Sequence, residues 1–292
     1  MRFTKFQGFG NDYLVFEAEQ LAEVDDLGSF AHRICNRHYG AGADGIAMLS
    51  EPPASAGGSI DNESDFHVRI FNPDGSEAGM SGNGTRCAAA YLFFHSLWKS
   101  DELRLQTRSG AKRYHLLNHS DDGSFLFRSE LGQPRFDSGS IPMTTDAPLA
   151  QVINYPLVAA DETLNVTALQ MGNPNCCIFV NDFHELDWRR LGPVIENHPQ
   201  FPERTNVIFI RVRDRANIEE RIWERGVGET ESSGTCSCAA VVASVINGKT
   251  DRVVDVHAPG GIIPIEWRDD GEVVLTGRAE VVYNGKWLGQ LK

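Results

Sequence analysis

Two serines stand at the same place in a short motif that the sequence contains twice. Ser81-Gly82 and Ser233-Gly234 each follow a glutamate by four residues, and each leads into a run of small and apolar residues. Serine and glycine ahead of such a run are typical of a helix N-terminus, whose first N–H groups have no partner within the helix. Free N–H groups at the positive end of a helix bind anions. The repeated motif therefore predicts that two helix N-termini bind one small carboxylate.

The apolar runs that follow the motifs, 87–98 and 238–246, predict the helices that position these serines. Both runs are apolar on almost every side, which is typical of a helix buried inside a shell of other elements. The serines lie more than half the chain apart, which indicates a duplicated domain rather than a short repeat. The predicted fold class is α+β, with two pseudo-symmetric, strand-rich, barrel-like domains around one buried helix each. We predict their bounds as 1–135 completed by 281–292, and 136–280.

The remaining pattern predicts two further helices, over 27–39 and 185–198, an exposed loop over 51–65 and a linker over 132–150. Asn11 is expected at the tip of a glycine turn. Alternating segments bounded by Gly, Pro and Asp predict strands. These strands are 46–49, 66–71, 102–107, 111–117, 124–130, 164–169, 206–213, 218–223, 253–258, 262–267, 273–275 and 279–283.

Composition restricts the classes of partner. The chain has 292 residues, is 41% hydrophobic and 23% charged, and carries a formal net charge of −13. This charge argues against nucleic acid or an anionic membrane, and no apolar run reaches transmembrane length. The six cysteines lack zinc-finger spacing, so we expect free thiols in a reducing cytosol and a cytoplasmic location. The expected partner is a small molecule, and a homodimer is among the assemblies left open.

A series of short motifs, in order and spacing, resembles the diaminopimelate epimerase family over nearly the whole chain. The motifs are 8–12, 37–45, 71–77, 82–84, 172–174, 204–206, 224–226, 228–230, 259–261 and 276–277. The resemblance implies an amino-acid epimerase of lysine and cell-wall precursor synthesis, which uses neither metal nor pyridoxal phosphate. It also implies that the substrate lies between the two domains.

The resemblance assigns a role to each matching residue. The backbone N–H groups that bind the α-carboxylate are those of Gly82, Asn83, Gly234 and Thr235. The side chains that recognise the distal amino-acid head are Asn72, Asn173, Asn206 and Arg225. Glu224 and Asn11 match positions near the reacting amine. Pre-oriented N–H donors beside the carboxylate would stabilise a neighbouring carbanion without reorganising.

The chain departs from the family pattern where the family does its chemistry. The family removes and returns the α-proton with two cysteines, and this chain has Ser81 and Ser233 there. Asn175 stands where the family has a catalytic-site histidine, and Cys236 where glycine is usual. A serine hydroxyl is a far weaker acid than a thiol and needs an adjacent base. The scattered differences favour a diverged relative over an engineered Cys-to-Ser form.

Three chemical interpretations follow from this departure. The protein is predicted to be an amino-acid isomerase that uses another base in place of the thiols. The candidate bases are Glu77, Glu229, Glu231 and Cys236. With a carboxylate as the base, the protein would resemble a proton-shift isomerase. Alternatively it is a catalytically silent homologue that binds a diaminopimelate-like amino acid. In the third interpretation hydrogen-bonded serines suffice for epimerisation. The two motif glutamates also suit the positive end of a helix, and buried packing is the expectation for Cys236.

Overall fold

A computed structural model describes residues 1–52, 64–184 and 186–289. The chain splits into two compact units, Met1–Ser129 with Gly277–Lys292, and Glu130–Thr276. Residues 53–63, most of the predicted loop 51–65, lie outside the described residues.

The first unit wraps strands around one buried helix. Its elements are β1 (Arg2–Gly8), β2 (Asn11–Glu17), a 3-10 turn (Ala18–Leu21), α1 (Leu27–Ile34), β3 (Ile46–Ser50), β4 (Phe66–Phe71), β5 (Glu77–Ala78), α2 (Gly82–Phe94), β6 (Glu102–Thr107), β7 (Gly110–His119) and β8 (Ser124–Gly132). Strands β1 and β2 form an antiparallel hairpin, β2 runs parallel to β3, and β3 is antiparallel to β4. Strand β4 runs parallel to β6, which is antiparallel to β7. Helix α2 packs against β1, β2, β3, β4 and β6, so it forms the centre of this unit.

The second unit repeats this plan in the same order. Its elements are β9 (Val152–Ala159), β10 (Glu162–Gln170), β11 (Pro174–Phe179), α3 (Trp188–Glu196), β12 (Asn206–Asp214), β13 (Asn217–Glu224), β14 (Gly228–Thr230), α4 (Gly234–Ile246), β15 (Val253–Ala258) and β16 (Gly261–Trp267). The last strand, β17 (Val273–Lys286), begins in the second unit and continues into the first. The hairpin β10–β11, the parallel pair β11–β12 and the antiparallel pair β12–β13 match the pairings of the first unit. So do the parallel pair β13–β15 and the antiparallel pair β15–β16. The predicted α+β fold with two pseudo-symmetric halves is therefore confirmed.

The two central helices are buried because their residues are small. In α4 the residues from Cys236 to Ala243 have no exposed surface, and α4 packs against β10–β13, β15 and β16. A helix surrounded by strands has no polar side, so alanine, serine and cysteine let the strands approach closely. Both helices end in the same way. Ser96 and Gly248 take positive φ, and the next N–H bonds back to Leu92 and Ser244.

Some predicted boundaries are wrong, for identifiable reasons. The helix predicted over 27–39 ends at Ile34, because the Asn36 side chain accepts the N–H groups of His38 and Tyr39 in place of helical bonds. The run to residue 98 is helical only to Phe94, where the positive φ of Ser96 stops it.

The helix predicted over 185–198 spans Trp188–Glu196 and begins after Asp187, whose carboxylate accepts the Arg190 N–H. Residue 185 lies outside the described residues. Asn11 is the first residue of β2 and pairs with Gly8, so the tip of the turn is Phe9-Gly10.

Two strand predictions also need correction. The segments predicted over 273–275 and 279–283 are one strand, β17. It stays continuous because its first residues pair with β16 and its last residues pair with β1, with Arg2 opposite Lys286. The predicted linker 132–150 belongs to the second unit, where Ile141 and Met143 are part of the core. Among the described residues, no helix is both long enough and apolar enough to span a membrane.

Candidate active site

Ser81 lies at the start of α2 in the first unit. Its Oγ accepts the Gly84 N–H at 3.1 Å, which caps the helix, and lies 2.8 Å from the Tyr13 hydroxyl. Ser81 is half-buried, whereas Tyr13 is only 4% exposed. No sequence pattern predicted this hydrogen bond between Ser81 and Tyr13. Together the two hydroxyls form an oxygen pair at the helix N-terminus.

Asn11 and Asn83 are brought together beside this pair. The Asn83 amide donates to Asn11 Oδ1 at 3.1 Å, and the Asn11 amide donates to Asp44 at 2.9 Å. Arg86 is 1% exposed and donates both to Asn83 Oδ1 and, at 3.0 Å, to the Arg278 carbonyl. Because each amide is held by partners on both sides, the two asparagines have fixed orientations.

A cluster of charges fixes the hairpin that carries Asn11. Asp12 accepts from Arg37 through both carboxylate oxygens, at 3.1 and 3.0 Å, and lies 2.7 Å from the Lys5 ammonium. Burial opposes ionisation of Asp12, but the hydrogen bonds and charges of Arg37 and Lys5 outweigh it and lower the pKa of this carboxyl. Arg37 also donates to Asp44 at 2.6 Å, so one guanidinium joins the hairpin to the loop before β3.

Asn72 lies after β4, and the structure does not join it to this group. Its side chain donates to Ser76 Oγ at 3.0 Å, within the turn that connects β4 to β5. It is half-buried.

Ser233 occupies the corresponding position before α4, but its hydroxyl acts differently. It does not cap the helix, and it donates to Glu224 Oε1 at 3.3 Å. Burial raises the pKa of Glu224 above its usual value, and the bond from Ser233 lowers it only in part. A carboxylate with a raised pKa beside a hydroxyl is the arrangement that a general base needs.

Five of the predicted residues in the second unit form one hydrogen-bonded chain. Asn175 is fully buried, donates to the Asn173 carbonyl at 2.7 Å and accepts from the Asn206 amide at 3.1 Å. Asn206 Oδ1 accepts the Arg225 N–H at 2.9 Å. Asn173 also donates to Thr235 in α4 at 3.4 Å. Both ends of the Asn175 amide are therefore occupied by its neighbours.

Within the described part of the chain, the N–H groups of Gly82 and Asn83 have no protein acceptor. The same holds for Gly234 and Thr235 at the start of α4. Helix geometry leaves these groups without intrahelical partners, so each helix start can donate to an anion.

The structure argues against three of the four alternative bases. Arg69 holds Glu77 with two bonds of 2.9 Å, which lower the pKa of that carboxyl. Arg189 donates two hydrogen bonds to Glu229, at 2.8 and 2.7 Å. Cys236 has no exposed surface, and burial raises the pKa of its thiol well above the usual value. The expectation that Cys236 is a buried packing residue is confirmed, and desolvation disfavours its thiolate.

The fourth candidate, Glu231, is exposed. All six cysteines are buried free thiols. Over residues 1–52, 64–184 and 186–289, no group of three or more His, Cys, Asp or Glu is arranged to hold a metal ion.

Glu196 and Glu220 are buried carboxyls that the sequence analysis missed. Glu220 alternates with Ile218 and Ile222 on the inward face of β13, a position at which its sequence pattern could have drawn attention. It is 0% exposed, accepts from Ser237 at 2.5 Å, and its second oxygen has no hydrogen-bond partner. Burial raises the pKa of Glu220 to about 8.

Glu196, at the end of α3, holds the turn that carries Arg225. Its carboxylate accepts from Trp223 Nε1 at 2.9 Å, from the Gly226 N–H at 2.8 Å and from Arg204 at 3.2 Å, and it is 6% exposed. No local sequence pattern marks this residue, because two of its partners, Trp223 and Gly226, come after strand β12.

Replacing Glu196 by alanine is expected to lower the free energy of unfolding by about 2–4 kcal/mol, because buried donors lose a charged acceptor. Urea unfolding of both proteins measures the change. Glu203→Ala, at an exposed position in the loop between α3 and β12, is the control and should cost less than about 0.5 kcal/mol. A loss below that value for Glu196→Ala would show that the carboxylate does not hold the turn.

Solved structures with low sequence identity share this fold. A probable proline racemase from Agrobacterium radiobacter is similar to the chain with a TM-score of 0.68 and 16% identity, over 98% of this chain and 92% of that one. The chain therefore shares its fold with a protein described as a probable racemase.

Sequence comparison narrows the class to a family. The diaminopimelate epimerase profile matches residues 3–136 and 167–282. A diaminopimelate epimerase of Pelotomaculum thermopropionicum is 42% identical over 98% of this chain and 99% of its own length. Another, of Desulforudis audaxviator, is 41% identical over 99% of both chains. The protein is an isomerase of the racemase and epimerase type, and it belongs to the diaminopimelate epimerase family.

Proposed function

We propose that this protein epimerises the α-carbon of LL-diaminopimelate to the meso isomer, as a step in lysine and cell-wall precursor synthesis. The observation that carries the proposal is the couple of Glu224 and Ser233, 3.3 Å apart, next to the unpaired N–H groups that begin α4. The choice of diaminopimelate as the substrate follows the names of relatives that are 42% and 41% identical to this chain. Neither metal nor pyridoxal phosphate takes part in the proposed reaction.

The first requirement of the reaction is to stabilise the carbanion. Loss of the α-proton places an electron pair next to the carboxylate, and charge spreads onto the carboxylate oxygens. Donors that already point at those oxygens stabilise the transition state more than the ground state. We assign this role to the N–H groups of Gly82, Asn83, Gly234 and Thr235.

The second requirement is to orient the distal end of the substrate. Arg225 can bind a carboxylate through its planar guanidinium, while Asn72, Asn173 and Asn206 can each donate and accept. Asn175 orients two members of this set, since it forms hydrogen bonds with both Asn173 and Asn206. Asn11 is assigned to the reacting amine.

The third requirement is a base in place of the missing thiol. In our proposal Ser233 Oγ takes the α-proton as its own proton passes to Glu224, so that the C–H bond breaks and the carboxyl becomes protonated. Glu224 suits this step because a raised pKa makes a carboxylate a stronger base. The alternative bases Glu77 and Glu229 are each bound by an arginine.

Solvent exchange tests the proposal. The purified protein is incubated with LL-diaminopimelate in D2O, and mass spectrometry follows deuterium at the α-carbon while chiral chromatography follows the meso isomer. We expect both signals from the unmodified chain. A Ser81→Cys, Ser233→Cys variant, which restores the family's thiols, is the matched comparison and is expected to be faster.

The other outcomes distinguish the alternatives. Exchange only in the double-cysteine variant would mean that the chain binds diaminopimelate but is catalytically silent. Silence from both proteins, with no binding by calorimetry, would contradict diaminopimelate as the substrate.

A further inference from the structure

The ring of Tyr13 is held in one orientation by two glycines. A Cβ atom at Gly45 would lie 2.6 Å from Tyr13 Cε1, and one at Gly84 would lie 2.9 Å from the same atom. Real Cβ atoms essentially never lie within 3.0 Å of another heavy atom, so any other residue at these positions would displace the ring. Tyr13 belongs to the core cluster of the first unit and is 4% exposed. The fold therefore fixes the direction of its hydroxyl.

That hydroxyl lies 2.8 Å from Ser81 Oγ, and either atom can donate. The Gly84 N–H already donates to Ser81 Oγ at 3.1 Å. When Tyr13 donates as well, both lone pairs of the serine oxygen are occupied. The Ser81 proton then points away from the protein contacts, and Ser81 is a hydrogen donor.

We propose that Tyr13 supplies the proton that Ser81 delivers to the substrate carbanion, so that Tyr13 and Ser81 form a two-hydroxyl proton relay. This inference rests on the function proposed above and adds a residue to it. Tyr13 acts through Ser81 and does not touch the substrate, so it is a positioning and relay residue.

The relay conserves atoms and charge. The electron pair of the carbanion takes the Ser81 proton, so a C–H bond forms as the serine O–H bond breaks. The Tyr13 proton moves to Ser81 Oγ, and the negative charge ends on the phenolate oxygen. Tyr13 then takes a proton from solvent water and the Glu224 carboxyl releases one to it, which restores both groups before the next turnover.

Acidity explains why the relay is needed. An aliphatic hydroxyl alone would have to become an alkoxide, whereas a phenol ionises with a reference pKa of about 10. Ending the charge on Tyr13 therefore lowers the barrier for a serine that stands where a thiol would be acidic enough by itself.

The Ser233–Glu224 couple has a carboxylate where the Ser81–Tyr13 pair has a phenol. The two serines are therefore expected to be unequal, with one group better suited to remove a proton and the other to donate one.

The test compares Tyr13→Phe with the unmodified chain, using LL- and meso-diaminopimelate separately in D2O. Phenylalanine keeps the ring between the glycines and removes only the hydroxyl. We expect inversion in both directions to fall by about 100-fold or more. Deuterium exchange without inversion should persist for one isomer, within about threefold, because the Ser233–Glu224 couple can still remove and return its proton. A variant that failed to fold would instead lose exchange and inversion together for both isomers.

Two further variants complete the test. Tyr91→Phe removes a phenol of the same core that bonds to Glu17 at 2.8 Å, and it should leave inversion within about threefold of the unmodified rate. Adding Ser81→Cys to Tyr13→Phe supplies a thiol that needs no relay, so inversion should return.

Three results would overturn the inference. The first is inversion by Tyr13→Phe at the unmodified rate, and the second is an equal fall of exchange and inversion for both isomers. The third is no recovery on adding Ser81→Cys. An unmodified chain that exchanges neither isomer would instead refute the proposed function, and the relay with it.

Discussion

Glu224→Gln is expected to slow removal of the α-proton from diaminopimelate by about 100- to 10,000-fold, the range that general-base catalysis contributes. Glutamine is close in shape, and its carbonyl can still accept the Ser233 hydroxyl bond, so the site should keep its geometry. It has no carboxylate to receive the proton. The measurement is the rate of deuterium uptake from D2O at saturating substrate.

The pH profile gives a second measure of the same residue. Only ionised Glu224 can act as the base, so activity should fall as the pH drops through its pKa. Burial raises that pKa, so this fall should occur at a higher pH than for an ordinary glutamate, and it should be absent from any residual rate of Glu224→Gln.

The matched control is Glu229→Gln, which removes a carboxylate that Arg189 already holds. We expect its rate to stay within about threefold of the unmodified rate. A Glu224→Gln protein with the unmodified rate would show that hydroxyls alone suffice, and a large loss in Glu229→Gln would return the role of base to the motif glutamate.

Glu220→Gln is expected to stabilise the protein at alkaline pH. The folded state favours the protonated carboxyl, with a pKa of about 8, whereas the unfolded chain ionises near 4.5. The stability linked to this group is therefore fully present below pH 4.5 and is lost as the pH rises to about 8. The loss is at most roughly 5 kcal/mol. Glutamine does not titrate, so it should remove this loss.

Urea unfolding at about pH 5, about pH 7 and about pH 8.5 measures this effect. The stability difference between Glu220→Gln and the unmodified chain should increase with pH. Glu231→Gln, an exposed change of the same type, is the control and should show no such trend. A difference that is constant with pH would mean that Glu220 is ionised or solvated in the folded state.

The sequence was most informative where local geometry alone decides the structure. Ser81 and Ser233 precede the central helices as predicted, although only Ser81 caps its helix with its side chain. The ends of helices were less predictable. Asn36 and Ser96 terminate elements through a side-chain bond and a positive φ that composition does not reveal.

Contacts between distant residues account for what the sequence analysis missed. Asn206 was predicted at the site, but its bonds to Asn175 and to the Arg225 backbone depend on the parallel pairing of β11 with β12. Glu196 holds the Arg225 turn from another element. Such partners are brought together only by packing.

By itself, the sequence determined the duplicated α+β plan, the two buried helices and the family, because these depend on periodicity, helix-start chemistry and motif order. The tertiary structure decided which hydroxyl has which partner. Ser81 is 2.8 Å from Tyr13, whereas Ser233 bonds to Glu224. It also decided that Cys236 is fully buried, which raises the pKa of its thiol. Hydrogen-bond direction and desolvation depend on atoms distant in sequence, and folding sets their positions.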